Sequence, residues 1–296
     1  MLKRTLFFSS PYYLRMKDRQ LVIQSKDELI HQTVPIEDIG FVVLDDPQIS
    51  FSMKLMEQLN ENNVAVVFCD SKHMPSSMLL NLDGHSIQTE LFRAQVDASE
   101  PLKKNLWKQT IEAKIGNQAA LLAKFDIPHK QLKSLAATIK SGDSDNREGF
   151  AARIYWNALF GKQFLRDRYG DPPNPFLNYG YILLRSAVAR SLAGSGLLST
   201  FGIHHRNRYN AFCLADDVME PYRPYVDEIA YHLAQKWPDT FILEKEHKAE
   251  LLKLMTVDVQ IGENKRPLMV ALSQTTASLS RCFSGENRKI TYPEFN

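Results

Sequence analysis

The chain has 296 residues, of which 44% are hydrophobic and 24% charged, so we expect one large or two smaller globular domains. Its three cysteines, Cys69, Cys213 and Cys282, lie far apart without a CxxC pair, which argues against a disulfide framework or a zinc ribbon. No apolar run approaches the ~20 residues of a membrane helix and no signal peptide is recognisable, so we expect a cytoplasmic protein.

The net charge of +2 is distributed unevenly along the chain. Residues 1–100 carry 9 Lys and Arg against 14 Asp and Glu, whereas residues 101–296 carry 27 against 20. The acidic first part and the basic second part favour the second part as the binder of a polyanion. An excess of this size is also typical of an ordinary solvated surface, so both interpretations stay open.

The first 70 residues have the pattern of short strands. Segments rich in β-branched and aromatic residues are separated by turn signals and fall at 4–9, 13–17, 20–25, 31–36 and 40–45. Their spacing predicts an antiparallel sheet or a small sandwich. A helix over 50–62 would place Phe51, Leu55, Met56 and Leu59 on one face, and a buried strand would follow at 64–70.

Residues 73–88 lose this periodicity and contain Pro, Ser, Asn and Gly, which predicts a linker. Helical spacing then dominates, with predicted helices at 89–97, 101–123, 128–139, 146–168, 175–196, 217–236, 245–256 and 266–281. The polar tail SGENRKITYPEFN is expected to be loosely ordered. The predicted fold is therefore α+β, with a small β-rich N-terminal domain (1–72) followed by a larger all-α catalytic domain (89–296).

Glu148 is the first candidate site residue. Together with Asp145 it has the three-residue spacing of a helix capping box, so a purely structural role is one interpretation. The alternative is a functional carboxylate. Ala151, Tyr155 and Trp156 would then bury the helix and fix the acid rigidly in place.

His205 is the second candidate, in the segment GIHHRNRYNAF. Two neighbouring arginines, Arg206 and Arg208, are expected to depress protonation of the imidazole and keep a nitrogen free for a metal ion. Arginine also suits phosphate contacts. His204 is the rival for the ligand position, and a satisfied polar histidine is the structural alternative.

Glu220 is the third candidate. Asp217 lies three residues earlier, so these two acids either form another capping box or share one ion on the same helix face. Pro221 suits a first helical turn, and Pro224 should kink the helix or mark its true start. Asp216 is expected to point away, to the surface.

Two carboxylates and an imidazole can hold a divalent cation while leaving positions open for water and phosphate oxygens. Hard oxygen ligands favour Mg²⁺ or Mn²⁺, and the added imidazole shifts the preference toward Mn²⁺. Such an ion can polarise a phosphodiester and activate an attacking hydroxyl. The sequence therefore predicts a metal site at Glu148, His205 and Glu220, with Asp217 as an additional candidate ligand.

A polar stripe of Asn178, Tyr181 and Arg185 on one predicted helix is either core packing or a wall of a nucleic-acid groove, with Arg185 on phosphate and Tyr181 near a base. The chain lacks a P-loop, a Rossmann fingerprint and a GxSxG elbow. Charges on the long helix 101–123 are interpreted as a solvated face or as phosphate contacts. They are Lys103, Lys104, Lys108 and Lys114.

The chain resembles the CRISPR-associated integrase family Cas-one, in the form found in type II systems. The resemblance covers nearly the whole chain and is carried by EGFAARIYW, NPFLNYGYILLR and GIHHRNRYNAFCLADDVMEPYRP. It implies that Glu148, His205 and Glu220 hold the catalytic metal. Many relatives outside this form have a further acid at the position of Asp217.

The resemblance also implies partners and a reaction. It implies a homodimer formed through the β-rich domain, a Cas-two partner in a heterohexamer, and cooperation with Csn-two and Cas-nine. The substrates would be double-stranded DNA, namely a protospacer and the CRISPR repeat, and a protospacer 3′-hydroxyl would attack a repeat phosphodiester. The candidate DNA contacts are Arg185, Arg206, Arg208 and Arg223, beside Asn178 and Tyr181.

Two other hypotheses stay open. One is a structure-selective endonuclease that acts on branched DNA through the same metal site. The other is a non-catalytic DNA-binding scaffold whose acids only cap helices. Strand joining, strand cleavage or neither would separate the three.

Overall fold

A computed structural model describes residues 3–27 and 29–295 of the chain. The chain forms two compact units, of which the first ends at Asp83 and the second begins at Gly84. The first unit is rich in strands and the second is mostly helical, which confirms the predicted α+β architecture and its domain order.

The first unit matches the predicted strands closely, and the first five strand boundaries differ by at most one residue. Its elements are β1 (Arg4–Phe8), β2 (Tyr12–Lys17), β3 (Gln20–Ser25), β4 (His31–Pro35), β5 (Ile39–Leu44), β6 (Ser50–Phe51), α1 (Met53–Glu61), β7 (Ala65–Cys69) and β8 (Pro75–Leu79).

The strands form two four-stranded sheets, and the expectation of a wholly antiparallel arrangement was wrong. One sheet has the order β1-β5-β7-β8, with β1, β5 and β7 parallel. The other has the order β4-β3-β2-β6 and is antiparallel except for the short β6. Every residue of β5 is buried, as is typical of a parallel strand covered on both faces, and α1 provides the crossover to β7.

Helix α1 confirms the predicted amphipathic face in part. The Ser52 side chain caps it by accepting a hydrogen bond from the Leu55 N–H, and Leu55, Met56 and Leu59 are buried. Phe51 precedes the helix in β6 and is exposed, so its predicted place on the helix face was wrong. The three buried residues join the apolar core of this unit.

The predicted linker at 73–88 contains a strand that sequence patterns concealed. Pro75–Leu79 pairs antiparallel with β7 at the edge of the first sheet. Pro75 and the two following serines have low strand propensity, but an edge strand tolerates proline at its first position because one side of the strand needs no N–H donor. The division between the two units at residue 83 still falls within the range predicted for the linker.

The second unit follows the predicted helices with three differences. Its elements are α2 (Gln88–Val96), α3 (Glu100–Lys124), α4 (Lys130–Ala136), α5 (Arg147–Phe160), α6 (Asn174–Gly194), α7 (Cys213–Met219), α8 (Arg223–Lys236), α9 (Lys245–Leu252), β9 (Asp258–Ile261), β10 (Asn264–Pro267) and α10 (Leu268–Phe283).

The first difference is the hairpin of β9 and β10, so the unit is not wholly α-helical. The second is α5, which ends at Phe160 because Gly161 adopts φ +93°. The third is the predicted helix 217–236, which is divided by a 3₁₀ turn at Glu220–Tyr222. Pro224 lies in the first turn of α8, as expected if it marks the true start of that helix.

Helix α6 is the buried centre of the second unit and packs against α7, α8, α9 and α10. At Gly180 an added Cβ would lie 2.4 Å from a methyl carbon of Val226, so glycine allows the close approach of α6 and α8. None of the helices in the described part of the chain combines the length and apolar character needed to cross a bilayer.

The C-terminal tail is packed against the second unit, so the expectation of a loosely ordered tail was wrong. The side-chain amide of Asn117 donates to the carbonyls of Pro221 and Pro293 at 2.7 and 2.9 Å. Its oxygen accepts from the N–H of Phe295 at 3.0 Å. The Phe295 ring packs 4.7 Å from Tyr225. The polar sequence concealed these few buried anchors.

Candidate functional site

The Glu148 carboxylate does not cap the start of α5. Asp143 accepts hydrogen bonds from the first two N–H groups of the helix, at 2.8 and 3.0 Å, and Asn146 accepts from the third at 3.2 Å. Asp145 instead pairs with Lys140 at 2.8 Å. The capping-box interpretation of Asp145 and Glu148 was therefore wrong, and the cap comes from two residues that sequence reasoning did not single out.

Glu220 lies at the start of the 3₁₀ turn between α7 and α8 and is only 3% exposed. Its Oε1 accepts a hydrogen bond from Arg223 Nη2 at 2.9 Å. Asp217 lies in the last turn of α7, so a capping box between Asp217 and Glu220 was also wrong. The buried carboxylate of Glu220 is held by a side chain one turn later in the chain.

Lys114 of α3 joins the two glutamates. Its ammonium nitrogen lies 2.5 Å from Oε1 of Glu148 and 2.6 Å from Oε2 of Glu220. The residue is 7% exposed, so its interpretation as part of a solvated lysine face was wrong. Its spacing from Trp107 and Ile111 places it on the buried stripe of α3, and this sequence signal could have identified it.

Lys114, Glu148, Glu220 and Arg223 form a balanced cluster of two positive and two negative charges, in which Lys114 and Glu220 are buried and Glu148 and Arg223 are partly exposed. Burial acts to lower the pKa of Lys114, but the charges of Glu220 and Glu148 outweigh it, so this pKa is raised. Burial acts to raise the pKa of Glu220, but Arg223 and Lys114 outweigh it, so that pKa is lowered. Each charge is therefore stabilised by the others, and loss of one would leave an uncompensated buried charge.

His205 is oriented by a buried carboxylate. Its Nδ1 lies 2.5 Å from Oδ1 of Asp217, whose side chain is fully buried. The same carboxylate accepts the N–H groups of His204 and His205 at 2.9 and 3.3 Å. Asp217 is therefore arranged to position the imidazole and to leave Nε2 as the nitrogen that can bind a ligand.

The Asp217 contact also decides the protonation behaviour of His205. The hydrogen bond to Asp217 raises the pKa of His205, and this effect exceeds the opposing effect of burial. The expectation that the neighbouring arginines would depress protonation was wrong. Arg206 pairs with Glu100, and the charges that act on this pKa are those of Asp217, Glu220 and Glu148, all of which raise it.

The loop before His205 requires glycine at position 202. A Cβ there would lie 2.5 Å from the carbonyl oxygen of His205 and 2.7 Å from Oδ2 of Asp217. The buried amide of Gln95 holds the same loop, since Nε2 donates to the carbonyls of Leu198 and Phe201 at 2.8 and 2.9 Å. Sequence reasoning missed Gln95 because a single glutamine on a helix has no distinctive pattern.

His204 has a different environment from its neighbour. Its ring stacks on the buried indole of Trp107, with centroids 4.2 Å apart and ring planes 3° apart. The ring of His205 meets the same indole edge-on at 5.7 Å. The stacked face and the Asp217 contact distinguish the two histidines and favour His205 as the candidate ligand.

The predicted stripe on α6 is occupied by internal contacts. Asn178 accepts from Arg166 at 2.8 Å and donates to a backbone carbonyl at 2.7 Å. Tyr181 is buried, and its hydroxyl donates to Asp227. In the described structure Tyr181 therefore packs in the interior and presents no open ring face to a base.

Arg185 makes a two-point contact with Asp216, from Nε at 2.6 Å and Nη2 at 3.0 Å. Asp216 also accepts from Asn210 at 2.7 Å and is buried, so its expected surface position was wrong. Arg185 keeps partial exposure but has its guanidinium engaged on this carboxylate. Its proposed phosphate contact would have to share or break that pair.

Arg206 and Arg208 are exposed beside His205. Arg206 pairs with Glu100 at 2.6 Å, and the Arg208 guanidinium lies 4.6 Å from the centre of the Tyr209 ring. Both line a cavity of about 390 Å³ that also includes His205 and Lys103. The imidazole thus opens onto a partly basic recess that could accept a polyanion.

The donor set suits a divalent cation, although the described residues contain no ready cluster of three or more His, Cys, Asp or Glu at metal-binding spacing. The two carboxylates already converge on a positive charge, the Lys114 ammonium. The buried Oε2 of Glu220 meets that ammonium without hydrogen-bond alignment. Carboxylate oxygens and an imidazole nitrogen fit Mg²⁺ or Mn²⁺, provided that Lys114 moves.

Comparison with known proteins gives consistent matches. The family described as CRISPR associated protein Cas1 matches residues 6–253. The CRISPR-associated endonuclease Cas1 of Neisseria meningitidis serogroup C is 33% identical over 288 residues, covering 97% of this chain and 94% of the relative.

Two solved structures share the fold. A casposase bound to integration product covers 100% of this chain and 95% of its own, with a TM-score of 0.82 and 18% identity. A chain of a Cas6-RT-Cas1–Cas2 complex matches 97% of this chain with a TM-score of 0.71 and 19% identity, and 35% of that chain is covered.

Proposed function

The chain belongs to the CRISPR-associated Cas1 family, and we propose that it is a metal-dependent DNA integrase of CRISPR adaptation. In this proposal it inserts protospacer DNA into the CRISPR array by transesterification. A protospacer 3′-hydroxyl attacks a phosphodiester at a repeat end, and the 3′-oxygen of the cut strand leaves. One phosphodiester is exchanged for another, so no nucleotide hydrolysis is required.

The convergence of Glu148 and Glu220 on one positive charge is the observation that carries the proposal. Both carboxylates lie within 2.6 Å of the Lys114 ammonium, and neither caps its helix. His205, oriented by Asp217, would complete the set with Nε2. The residues that would hold Mg²⁺ or Mn²⁺ are thus Glu148, His205 and Glu220, with Asp217 as the residue that positions the imidazole.

When bound, the ion would supply Lewis-acid activation of the scissile phosphate and of the attacking hydroxyl. The chain itself supplies the rest. Arg223 neutralises one oxygen of Glu220 and fixes its orientation. Asp217 fixes the ring of His205, and the Trp107 indole stacks on His204 and meets the ring of His205 edge-on. These contacts hold the donors in place before substrate arrives, which is what electrostatic preorganisation requires.

Contacts with DNA are proposed on the basic recess beside His205. Arg206 and Arg208 are exposed there and can reach phosphates in exchange for their present partners, Glu100 and Tyr209. Arg185 and Arg223 form ion pairs with carboxylates, so each would contact a DNA phosphate only while still bound to its carboxylate. The integration product bound to the casposase supports a strand-joining reaction on this fold.

The same proposal includes partners. The fold likeness to a chain of a Cas6-RT-Cas1–Cas2 complex supports the Cas-two partner. The heterohexamer built on a homodimer stays a prediction of the family resemblance. Dimerisation through the β-rich unit, and cooperation with Csn-two and Cas-nine, stay predictions of the family resemblance. The mass of the full-length chain in solution, alone and with Cas-two, would test the assembly.

A structure-selective endonuclease acting on branched DNA is the second candidate function. It is supported by the name of the Neisseria relative, an endonuclease, and it uses the same acids. The scaffold hypothesis is weaker because its premise was that the acids cap helices. Asp143 and Asn146 cap α5, and Glu148 and Glu220 face a cation instead.

A strand-transfer assay tests the proposal. Full-length protein and its Cas-two partner would be mixed with a labelled short duplex and a plasmid carrying the repeat array, in Mn²⁺, Mg²⁺ or EDTA. Glu148→Gln and His205→Ala are compared with Asp145→Asn, a matched exposed acid at the same helix end that pairs only with basic surface residues and its serine neighbour.

The expected result is a metal-dependent label on the plasmid that is retained by Asp145→Asn and lost in both site variants. Cleavage without joining would replace the integrase by the endonuclease. DNA binding without either product, unchanged by EDTA, would replace both by the scaffold.

A further inference from the structure

Asp227 of α8 is a buried carboxylate outside the candidate metal site. Its two oxygens accept hydrogen bonds from two tyrosine hydroxyls, from Tyr155 at 2.7 Å and from Tyr181. Tyr155 is fully buried, and Asp227 and Tyr181 are 1% and 7% exposed. Three helices, α5, α6 and α8, thus meet at one carboxylate.

A buried carboxylate of this kind is costly, so its retention calls for a reason. Moving an acid out of water carries a large free-energy cost, which good partners do little more than offset. Two arginines near the Tyr181 ring offset part of that cost. Arg166 and Arg223 lie 5.3 and 4.7 Å from the ring centre. Packed apolar side chains would join the helices at lower cost but with less directional control.

The positions of these residues connect the carboxylate to both glutamates of the site. Tyr155 lies seven residues after Glu148, two turns along the same face of α5. Asp227 lies one turn after Arg223, whose guanidinium rests on the Tyr181 ring and binds Glu220 at 2.9 Å. One chain of contacts therefore connects the helix of Glu148 with the segment of Glu220.

We propose that Asp227, with the Tyr155 and Tyr181 hydroxyls, is a positioning unit that sets the separation of Glu148 and Glu220. The Tyr155 bond fixes the axial position of α5. The Tyr181 bond fixes the tyrosine ring. The Arg223 guanidinium lies over this ring and binds Glu220, so the ring position also sets the position of Glu220. Without the unit α5 and α8 would stay packed, but the carboxylates of Glu148 and Glu220 would no longer converge on one cation. This inference rests on the proposed metal-dependent function.

Tyr155→Phe and Tyr181→Phe each remove one hydroxyl and keep the ring, so the fold should be retained. Tyr225→Phe is the matched control. Tyr225 is buried on α8, the helix of Asp227, and its hydroxyl donates one hydrogen bond, to the carbonyl of Glu294 at 3.1 Å, which the substitution removes. Two quantities are measured for each full-length variant and for wild type. One is the Mn²⁺ affinity, from the electron paramagnetic resonance signal of free Mn²⁺, and the other is the thermal unfolding temperature in EDTA.

The expected result is that Tyr155→Phe and Tyr181→Phe weaken Mn²⁺ binding by about tenfold or more, the scale of residues that orient metal ligands. Tyr225→Phe should lower the unfolding temperature similarly while leaving Mn²⁺ affinity unchanged. If all three variants lose stability alike and bind Mn²⁺ like wild type, the unit is structural only and the inference is overturned. If wild type itself binds no Mn²⁺, the proposed function is overturned together with it.

Discussion

The two halves of the candidate site are built differently. The carboxylate half, formed by Lys114, Glu148, Glu220 and Arg223, is a balanced set of charges centred on the buried Lys114 and Glu220. The imidazole half consists of His205, which lies in a loop, and Asp217, which orients its ring. The His205 side chain is 43% exposed. One half is closed around its own cation, and the other presents a nitrogen to a solvent-accessible recess.

This difference indicates a division of roles. In the buried half each charge depends on its partners, because water cannot replace a lost ion pair there. In the open half Asp217 is buried but the imidazole it faces is partly exposed, so solvent screens the charge of the ring and its orientation matters more than charge balance. Removing a partner should therefore destabilise the carboxylate half, whereas disturbing the loop should misplace the imidazole.

The largest expected effect is that of Lys114→Met. This change leaves two carboxylates facing one another with only Arg223 as a counter-charge. Breaking a buried pair in this way costs about 3–5 kcal/mol of unfolding free energy. Chemical denaturation in EDTA measures that loss.

Added Mn²⁺ separates the charge effect from a packing effect in the same variant. A divalent ion can replace the missing ammonium, so Mn²⁺ should raise the unfolding temperature of Lys114→Met more than that of wild type. Lys108→Met, on the same helix but partly exposed and paired with Glu112 at 3.5 Å, is the control. Equal shifts in all three proteins would mean that the carboxylates do not share a cation.

Gly202→Ala should have the next largest effect. The new Cβ would lie 2.5 and 2.7 Å from oxygens of His205 and Asp217, so the loop must shift. Overpacking of this kind costs about 1–3 kcal/mol. Because the displaced atoms orient the imidazole, the rate of strand transfer should fall by more than the loss of folded protein accounts for. Activity near wild type at intact Mn²⁺ affinity would show that the loop has more freedom than these contacts indicate.

Gly116→Ala is the matched control for that substitution. It lies on α3, and an added Cβ would meet no atom within 4 Å. Replacing a helical glycine should stabilise by up to about 1 kcal/mol. The pair therefore compares the same chemical change with and without contact to the imidazole half.

The two halves should also respond to pH with opposite signs. Asp217 raises the pKa of His205, so the stability contributed by this pair is complete below the ordinary histidine pKa and is lost as pH rises through the raised value. The pKa of Glu220 is lowered, despite burial, by Arg223 and Lys114. Its contribution is complete above the ordinary glutamate pKa and is lost as pH falls through the lowered value.

Unfolding temperatures in EDTA test these signs. The deficit of His205→Gln relative to wild type should be larger at pH 5.5 than at pH 9, and that of Glu220→Gln should shrink as pH falls from about 5 to about 3, because the ordinary pKa values are about 6.5 and 4.3. Deficits that move together with pH would contradict the separation into two differently built halves.

The sequence predicted the fold well where local pattern decides it. Alternation and turn signals located β1 to β5, and three- and four-residue spacing located most helices. Sheet direction failed because β5 is buried on both faces and its crossover is not a local signal. The tail failed because a few residues, such as Phe295, anchor an otherwise polar segment.

The residues of the candidate site could be named from the sequence, but their contacts could not. Glu148, His205 and Glu220 were named from local motifs, and the structure brings both glutamates onto one cation. Lys114 was interpreted as surface because a charge on a helix is usually solvated. Asp227 was not singled out, since its partners lie 46 and 72 residues away and only the fold brings them together.

The smallest expected effect is that of removing Arg206, which lies beside the open half. Arg206 is exposed and pairs with an exposed Glu100, so Arg206→Ala should change stability by no more than about 0.5 kcal/mol. If Arg206 contacts a phosphate, the slope of log binding constant against log salt should decrease by about 1. Arg223→Ala, which removes a charged partner of the buried Glu220, should instead destabilise the protein. An unchanged salt slope in Arg206→Ala would remove this arginine from the DNA path, and the open half would then contribute its imidazole without a phosphate contact from Arg206.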